Sequence, residues 1–277
     1  MKNKLAVSTL AFQNWELEDA IEVCREHGIG AMEIRMGFHS WSKLDLPDCV
    51  YEQNYERIHS QGIEVSDLGT SVHMIGCKEE GLKELERCAQ IANILHCQGL
   101  RIMFGSKRKF WSEPKTEINC DNLVNWLIKA DHIAEKYQTQ IWLETHDEFS
   151  TGKVQREVMN QHPFRNIRLL WDIMHSLEAK EAPEETLKYM GAELVHIHIK
   201  DGIPRENPDY IHWKYTRLGE GIVPIKDIVN LIQNSGYEGY FSLEWESAWR
   251  KELRGEGYEI PEMLKQYRLL MQEILHN

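Results

Sequence analysis

The sequence predicts a single (β/α)8 TIM barrel with a C-terminal helix. Eight short apolar runs alternate with helical patterns, and no Asn-Gly hairpin signal joins one run to the next. Alternation at this period requires parallel strands with helical crossovers. The chain of 277 residues also has a suitable length, since such a barrel takes roughly 250 residues. No linker-like or low-complexity stretch divides it, so residues 1–277 are predicted to form one domain.

The first half of the chain supplies five of the predicted strands. Helices are identified by apolar positions three and four residues apart, as at Leu17 and Ile21 in the first helix. Gly28, Gly62 and Gly99 stand where a helix ends and the next strand begins. The predicted strands are 4–9, 29–35, 63–69, 100–104 and 140–144, and the predicted helices are 15–27, 50–60, 79–95 and 117–137.

The second half continues the same alternation. The predicted strands are 167–172, 193–199 and 240–244, and the predicted helices are 153–160, 184–190, 225–234 and 261–274. An open dinucleotide-binding sheet is disfavoured, because no G-x-G-x-x-G motif follows the first strand and no Walker A sequence occurs.

Composition excludes several classes of partner. The formal charge of −12 argues against a nucleic-acid or anionic-membrane surface, because like charges repel a phosphate backbone. The N-terminal apolar run is too short for a signal peptide, and no stretch reaches the roughly 18 apolar residues that a membrane span needs. We therefore expect a cytoplasmic protein, and a homo-oligomer is compatible with the sequence. The six cysteines form no C-x-x-C pair and are interpreted as reduced structural thiols.

Four apolar runs end in a carboxylate or a histidine. These residues are Glu144, Asp172, His198 and Glu244, at the ends of the fifth to eighth predicted strands. In a TIM barrel, the carboxyl ends of the strands form the active face. We therefore expect the four side chains to converge there.

A cation is the expected partner of this group, because an unpaired buried carboxylate is strongly unfavourable. Three carboxylates and one imidazole favour Mn²⁺ or Mg²⁺, and the histidine makes Co²⁺ or Zn²⁺ acceptable. The sequence thus predicts one divalent metal ion. The alternative is that each acid pairs with a lysine or arginine at the rim.

The same segments resemble a known family. Matching stretches are Leu143-Glu144-Thr145-His146, Trp171-Asp172-Ile173-Met174-His175, Val195-His196-Ile197-His198-Ile199-Lys200-Asp201, Leu218-Gly219-Glu220-Gly221 and Ser242-Leu243-Glu244-Trp245. Together they resemble the sugar phosphate isomerase/epimerase proteins of the xylose-isomerase-like TIM-barrel superfamily, over nearly the whole chain. Relatives include ketose 3-epimerases, inosose-metabolising enzymes, 3-dehydroshikimate dehydratases and, more remotely, endonuclease IV.

The resemblance implies metal ligands at Glu144, Asp172, His198 and Glu244, with His198 rather than His196 as the imidazole ligand. It further implies that Glu144 and Glu244 act as acid and base on opposite faces of the substrate. The expected enzyme is a metal-dependent isomerase or epimerase that acts on a sugar, sugar phosphate or cyclitol through a metal-stabilised enediolate. A small polyhydroxy molecule is therefore the expected partner.

Six residues are expected around the substrate. They are His175, Arg217, Lys200, His146, His73 and Glu33. His175 resembles the family's histidine that hydrogen-bonds a substrate oxygen, and Arg217 matches a position that is often basic in relatives. Glu33 and Arg35 share a strand face, so the alternative for Glu33 is a pair with Arg35.

Three other functions remain open at this stage. A 3-dehydroshikimate-type dehydratase would use the same metal site. An abasic-site endonuclease would need three zinc ions; His73, Asp172 and His175 match part of that pattern, but Phe104-Gly105-Ser106 supplies no histidine. A barrel that binds a metabolite without converting it is the non-catalytic alternative.

Overall fold

The protein folds as a closed eight-stranded parallel barrel in the computed structural model, which describes residues 5–106, 108–116 and 119–275. The strands are β1 Leu5–Ser8, β2 Ala31–Arg35, β3 Glu64–His73, β4 Gly99–Met103, β5 Gln140–Glu144, β6 Ile167–Asp172, β7 Leu194–Ile199, β8 Gly202–Ile203, β9 Lys214–Tyr215 and β10 Tyr240–Leu243. All except β8 and β9 belong to the barrel, in the order β1-β10-β7-β6-β5-β4-β3-β2. The predicted TIM barrel is confirmed.

Helices connect the strands on the outside of the barrel. They are α1 Leu17–Glu26, α2 Asp48–Ser60, α3 Glu79–Ile94, α4 Cys120–Lys136, α5 Gly152–Met159, α6 Ile173–Glu178, α7 Pro183–Met190, α8 Ile225–Asn234 and α9 Ile260–Leu275. The last of these confirms the predicted C-terminal helix. No helix within the described ranges has the length and apolar character to cross a membrane.

Most predicted boundaries agree with the structure to within two residues, but some elements differ. Lys4 and Glu117, the predicted starts of a strand and a helix, lie outside the described residues. Strand β3 runs on to His73, beyond the predicted end at Gly69, with an irregular register against β4. The six-residue helix α6 and the small antiparallel pair β8–β9 were not predicted.

Gly99 has a different role from the one its position suggested. Gly28 and Gly62 do adopt the positive φ that favours glycine after a helix, 67° and 74°. Before β4, however, the positive φ belongs to His96. A Cβ atom on Gly99 would lie 1.9 Å from the indole of Trp142 on β5, so Gly99 is required by close packing between neighbouring strands.

The loop after β7 is anchored by one buried carboxylate. Oδ1 of Asp201 accepts hydrogen bonds from the amides of Gly202 and Val223, at 2.8 and 3.1 Å. Its Oδ2 accepts from Gly219 and Gly221, at 2.8 and 3.0 Å. Both ends of the loop that carries β8 and β9 are therefore tied to the residue that follows Lys200.

Candidate metal centre

Four side chains from neighbouring strands meet at the carboxyl end of the barrel. Glu144 and Asp172 are the last residues of β5 and β6, His198 is next to last in β7, and Glu244 directly follows β10. Their ligand atoms all lie within 4.8 Å of one another, and all four residues are buried. Barrel order explains the meeting, because β7 lies between β6 and β10. The structure thus brings the four predicted ligands together.

The imidazole of His198 is held between three carboxylates. Its Nε2 lies 2.9 Å from Oε2 of Glu33, and its Nδ1 lies 3.1 Å from both Oε1 of Glu144 and Oε2 of Glu244. Burial lowers the pKa of His198, but Glu244 and Glu33 outweigh burial and raise this pKa well above its ordinary value. If Nδ1 bound a cation, Nε2–H would still donate to Glu33, and this contact would fix the ring orientation.

Asp172 divides its two oxygens between a helix and the cluster. Oδ1 accepts hydrogen bonds from the amides of Met174 and His175, at 2.9 and 3.2 Å, and so caps α6. Oδ2 is buried and lies 2.8 Å from Nζ of Lys200. Burial raises the pKa of Asp172 to about 6. The cap fixes the carboxylate so that Oδ2 is directed into the cluster.

The donor set fits a divalent cation. Glu144, Asp172 and Glu244 each direct one buried oxygen into the cluster, where it faces the side chain of Arg101 or Lys200. Such an oxygen is costly unless a positive charge faces it. Three carboxylate oxygens and one imidazole nitrogen, all within 4.8 Å, form a mostly hard set that suits Mn²⁺ or Mg²⁺ and also accepts Co²⁺ or Zn²⁺.

Two buried cationic side chains also contact these carboxylates. Nζ of Lys200 lies 2.8 Å from Oδ2 of Asp172 and 2.6 Å from Oε2 of Glu244. Nε of Arg101 lies 3.3 Å from Oε2 of Glu144, and its Nη2 lies 3.4 Å from Oε1 of Glu244. The alternative that strand-end acids pair with Lys or Arg is therefore partly realised. Lys200 lies inside the cluster rather than at the pocket rim.

In the ion pairs around His198, carboxylates outnumber lysine and arginine side chains. Five carboxylates contact His198, Lys200 or Arg101 directly, and the cations Arg101, Lys200 and Arg250 face them; the five are Glu33, Glu144, Asp172, Glu244 and Glu246. Without a metal, a protonated His198 balances part of this negative charge, since its pKa is raised. A divalent cation at Nδ1 would replace that proton as the partner of the carboxylates.

Glu33 contacts the cluster through the imidazole of His198. It is fully buried, and Ser8 donates to its Oε1 at 2.9 Å while His198 faces its Oε2. Burial raises its pKa, but His198 outweighs burial and lowers the pKa to about 2. Substrate contact by Glu33 stays a prediction. The alternative pair with Arg35 does not form, since Arg35 donates to the carbonyl of Gly69 and to Ser71.

Among the other residues predicted to contact substrate, His175 and His146 lie beside the cluster. Nδ1 of His175 is 3.7 Å from Oδ2 of Asp172, and the rings of His146 and His175 meet edge to face with centroids 4.7 Å apart. Burial lowers the pKa of His146, but Asp147 outweighs burial and raises the pKa to about 9. Both rings could therefore face a substrate bound at the cluster.

Arg217 and His73 lie outside the four-residue cluster. Nη1 of Arg217 is 3.5 Å from Glu220, and its guanidinium lies over the ring of Tyr258 at 5.5 Å. His73 is exposed at the end of β3 and lines a cavity of about 670 Å³ with Gly105. Substrate contact by these two residues stays a prediction.

Sequence reasoning missed Arg101. It lies on β4 with only 3% of its surface exposed, and it bridges Glu144 and Glu244. The signal was present, because Arg101 is a single charge inside the apolar strand Gly99-Leu100-Arg101-Ile102-Met103. A charged residue there, as at a strand end, needs a buried partner.

The fold agrees with what comparison with known families shows. The chain belongs to the xylose isomerase-like TIM barrel family, whose sequence profile matches residues 21–267. A curated relative, the uncharacterized protein MJ1311 of Methanocaldococcus jannaschii, is 24% identical over 279 aligned positions, which cover 98% of this chain and 91% of the relative.

Solved structures with the same fold include enzymes of two reaction types. The probable 3-DHS dehydratase AsbF of Bacillus anthracis superposes with a TM-score of 0.78 at 17% identity, covering 97% of this chain and 98% of that one. The D-psicose 3-epimerase of Clostridium cellulolyticum H10 also gives a TM-score of 0.78, at 16% identity, covering 98% of this chain and 99% of that one. At this level of identity the likeness shows the shared fold.

Proposed function

We propose that the protein is a divalent-metal-dependent isomerase or epimerase of a polyhydroxy carbonyl compound: a sugar, a sugar phosphate or a cyclitol. The observation that carries the proposal is the placement of Glu144 and Glu244 in one buried cluster. Strands β6 and β7 separate β5 from β10, so the two carboxylates approach the cluster from different sides. Epimerisation needs such a pair, because a proton leaves one face of a carbon and another arrives on the opposite face.

Both carboxylates are ionised at neutral pH and can act as bases. Burial raises the pKa of Glu244, but Lys200 and His198 outweigh it and hold this pKa well below its ordinary value. Burial likewise raises the pKa of Glu144, and Arg101 outweighs it and lowers this pKa. In each direction of the reaction, the ionised glutamate accepts the proton from the substrate carbon. The other glutamate must first take up a proton from solvent, which it then delivers to the opposite face.

A bound cation would hold neighbouring carbonyl and hydroxyl oxygens of the substrate and acidify the C–H bond between them. The protein's own residues orient the ligand side chains and shield the reacting carbon from water. Glu33 fixes the ring of His198, and the cap of α6 fixes Asp172. Glu144, Asp172, His198 and Glu244 are at most 4% exposed, which favours exclusion of water from the reacting carbon.

Proton exchange with solvent is the direct test. The protein is loaded with Mn²⁺ and incubated in D₂O with ketoses, sugar phosphates and inososes. We expect deuterium at the carbon beside the carbonyl of a substrate. Glu144→Gln and Glu244→Gln should each slow conversion by about 10²–10⁴-fold, the usual contribution of a general acid or base, whereas Glu184→Gln on the exposed face of α7 should not.

Two further outcomes with the metal-loaded protein separate the other functions. Formation of protocatechuate from 3-dehydroshikimate, followed by its ultraviolet absorbance, would assign the dehydratase reaction instead. Binding of a metabolite with no deuterium incorporation in any compound would indicate a non-catalytic barrel and overturn the proposal.

A further inference from the structure

A second group of metal-binding side chains lies next to the four-residue cluster. His175 and Glu178 stand three residues apart on α6, and His212 reaches them from the loop between β8 and β9. One ligand atom from each residue lies within 4.8 Å of the other two. We call these three residues the His175 group.

His175 is oriented as a metal ligand would be. Its Nδ1 lies 2.7 Å from the carbonyl oxygen of Thr145, and a carbonyl only accepts hydrogen bonds, so Nδ1 carries the hydrogen. Nε2 then has a free lone pair. This atom is buried without a hydrogen-bond partner, in a side chain with 2% exposure. A carbonyl group on the far nitrogen is the usual support of a metal-bound imidazole.

Glu178 and His212 complete the geometry. Oε1 of Glu178 accepts a hydrogen bond from the amide of Trp213 at 2.7 Å, while its Oε2 lies 3.2 Å from Nδ1 of His212. The carboxylate side chain is 2% exposed and the His212 side chain is 23% exposed. The group is therefore buried on one side and open to solvent at His212, which gives a cation a path of entry.

Charge also favours a cation at the unpaired nitrogen. The buried Glu178 carboxylate supplies the negative charge that a cation requires.

We propose that His175, Glu178 and His212 bind a second divalent cation of the zinc class. Two imidazole nitrogens and one carboxylate oxygen form a borderline donor set that suits Zn²⁺ or Co²⁺, whereas the four-residue cluster is richer in oxygen. Three protein ligands leave the fourth tetrahedral position for water or a substrate oxygen. His175 would then act on a substrate through the cation rather than by a direct hydrogen bond.

Metal stoichiometry tests this site without any measurement of turnover. The full-length protein is stripped with a chelator, titrated with ZnCl₂, and its bound zinc is counted after desalting. We expect two equivalents per chain in the wild type and one in His212→Gln, Glu178→Gln and Asp172→Asn. Titration with Co²⁺ should give the visible bands of a tetrahedral ion in Asp172→Asn and lose them in His212→Gln.

Matched substitutions distinguish ligation from general surface effects. His132→Gln on α4 and Glu184→Gln on α7, both exposed, should keep two equivalents. Circular dichroism checks that each variant folds. If the more buried Glu178→Gln does not fold, the zinc count of His212→Gln decides the test. A single zinc in the wild type that is lost in Asp172→Asn, or two zinc ions retained in folded His212→Gln, would overturn the second site. Neither result bears on the proposed isomerase reaction, which the deuterium-exchange experiment tests separately.

Discussion

Nε2 of His198 lies 2.9 Å from Oε2 of Glu33, 165 positions away in the sequence. This contact joins the second barrel strand to the seventh through the barrel interior, and it leaves Nδ1 of His198 facing Glu144 and Glu244. A residue with no exposed surface thereby sets the direction of a proposed metal ligand.

Glu33→Gln should weaken metal binding without removing a ligand. The amide keeps the size of the side chain but loses the charge that supports His198, and loss of such a support typically costs about 10–100-fold in metal affinity. Competition between the protein and a chromogenic chelator for Mn²⁺ measures the change. Glu64→Gln, at the exposed start of β3, is the control. Unchanged affinity in Glu33→Gln would show that Glu33 does not act through His198.

Arg101→Met should destabilise the metal-free protein and make its stability depend more strongly on bound metal. Methionine fills much of the volume but leaves Glu144 and Glu244 without one of their cationic partners. Removing one partner of a buried ion pair typically costs about 3–5 kcal/mol of unfolding free energy. Urea unfolding with and without Mn²⁺ measures this. We expect the metal-induced gain to be larger in the variant, and an equal gain in both proteins would contradict the prediction.

His39 should make the protein less stable in mild acid. Its ring stacks on Trp41 with centroids 4.4 Å apart, and Nε2–H donates to the carbonyl of Thr9 at 2.9 Å. Burial lowers the pKa of His39 below its ordinary value of 6.5, more than the Thr9 bond raises it. Its contribution is therefore complete above the unfolded pKa and is lost as the pH falls through the lower folded pKa.

Thermal unfolding as a function of pH checks this. Between neutral pH and mild acid, the melting temperature should fall less steeply in His39→Gln than in wild type, because Gln does not titrate. An NMR titration of the His39 ring should give a pKa below 6.5. Parallel pH profiles of the two proteins would show that His39 is not responsible.

Gly99→Ala should destabilise the barrel through a clash with Trp142. The added Cβ would lie 1.9 Å from the indole, and overpacking of this kind typically costs about 1–3 kcal/mol. Trp142→Leu should make room, so the double variant should lose less than the sum of the two single variants. Denaturant unfolding of all four proteins gives the coupling energy, and strict additivity would contradict the packing argument.

The barrel could be predicted from the sequence because its strands are buried on both sides. Continuous apolar runs mark such strands, and β5 and β6 agree with their predicted limits at 140–144 and 167–172. Helix α8 likewise agrees with its predicted limits at 225–234. Helix α6 escaped prediction because its six residues are too few to show a period. Its start depends on the carboxylate of Asp172, which acts as a helix cap and faces the cluster at the same time.

The candidate site could be predicted only where strand ends define it. Glu144, Asp172, His198 and Glu244 follow from that rule together with the family resemblance. Arg101 was not predicted, because it lies inside a strand. Glu178 and His212 were not predicted either, because only the path of a loop brings them together. The place of Lys200 among the carboxylates likewise depends on side-chain packing rather than on its position in a motif.

The four amide hydrogen bonds to Asp201 hold the ends of the loop in place when its middle changes. They fix Gly202 at one end of the loop and Gly219, Gly221 and Val223 at the other. Insertions or replacements at 204–211, before His212, would change the loop between β8 and β9 while the strand that carries His198 stays in place. New substrate preferences could therefore arise in evolution by exchange of this one segment, without rebuilding the chemistry below it.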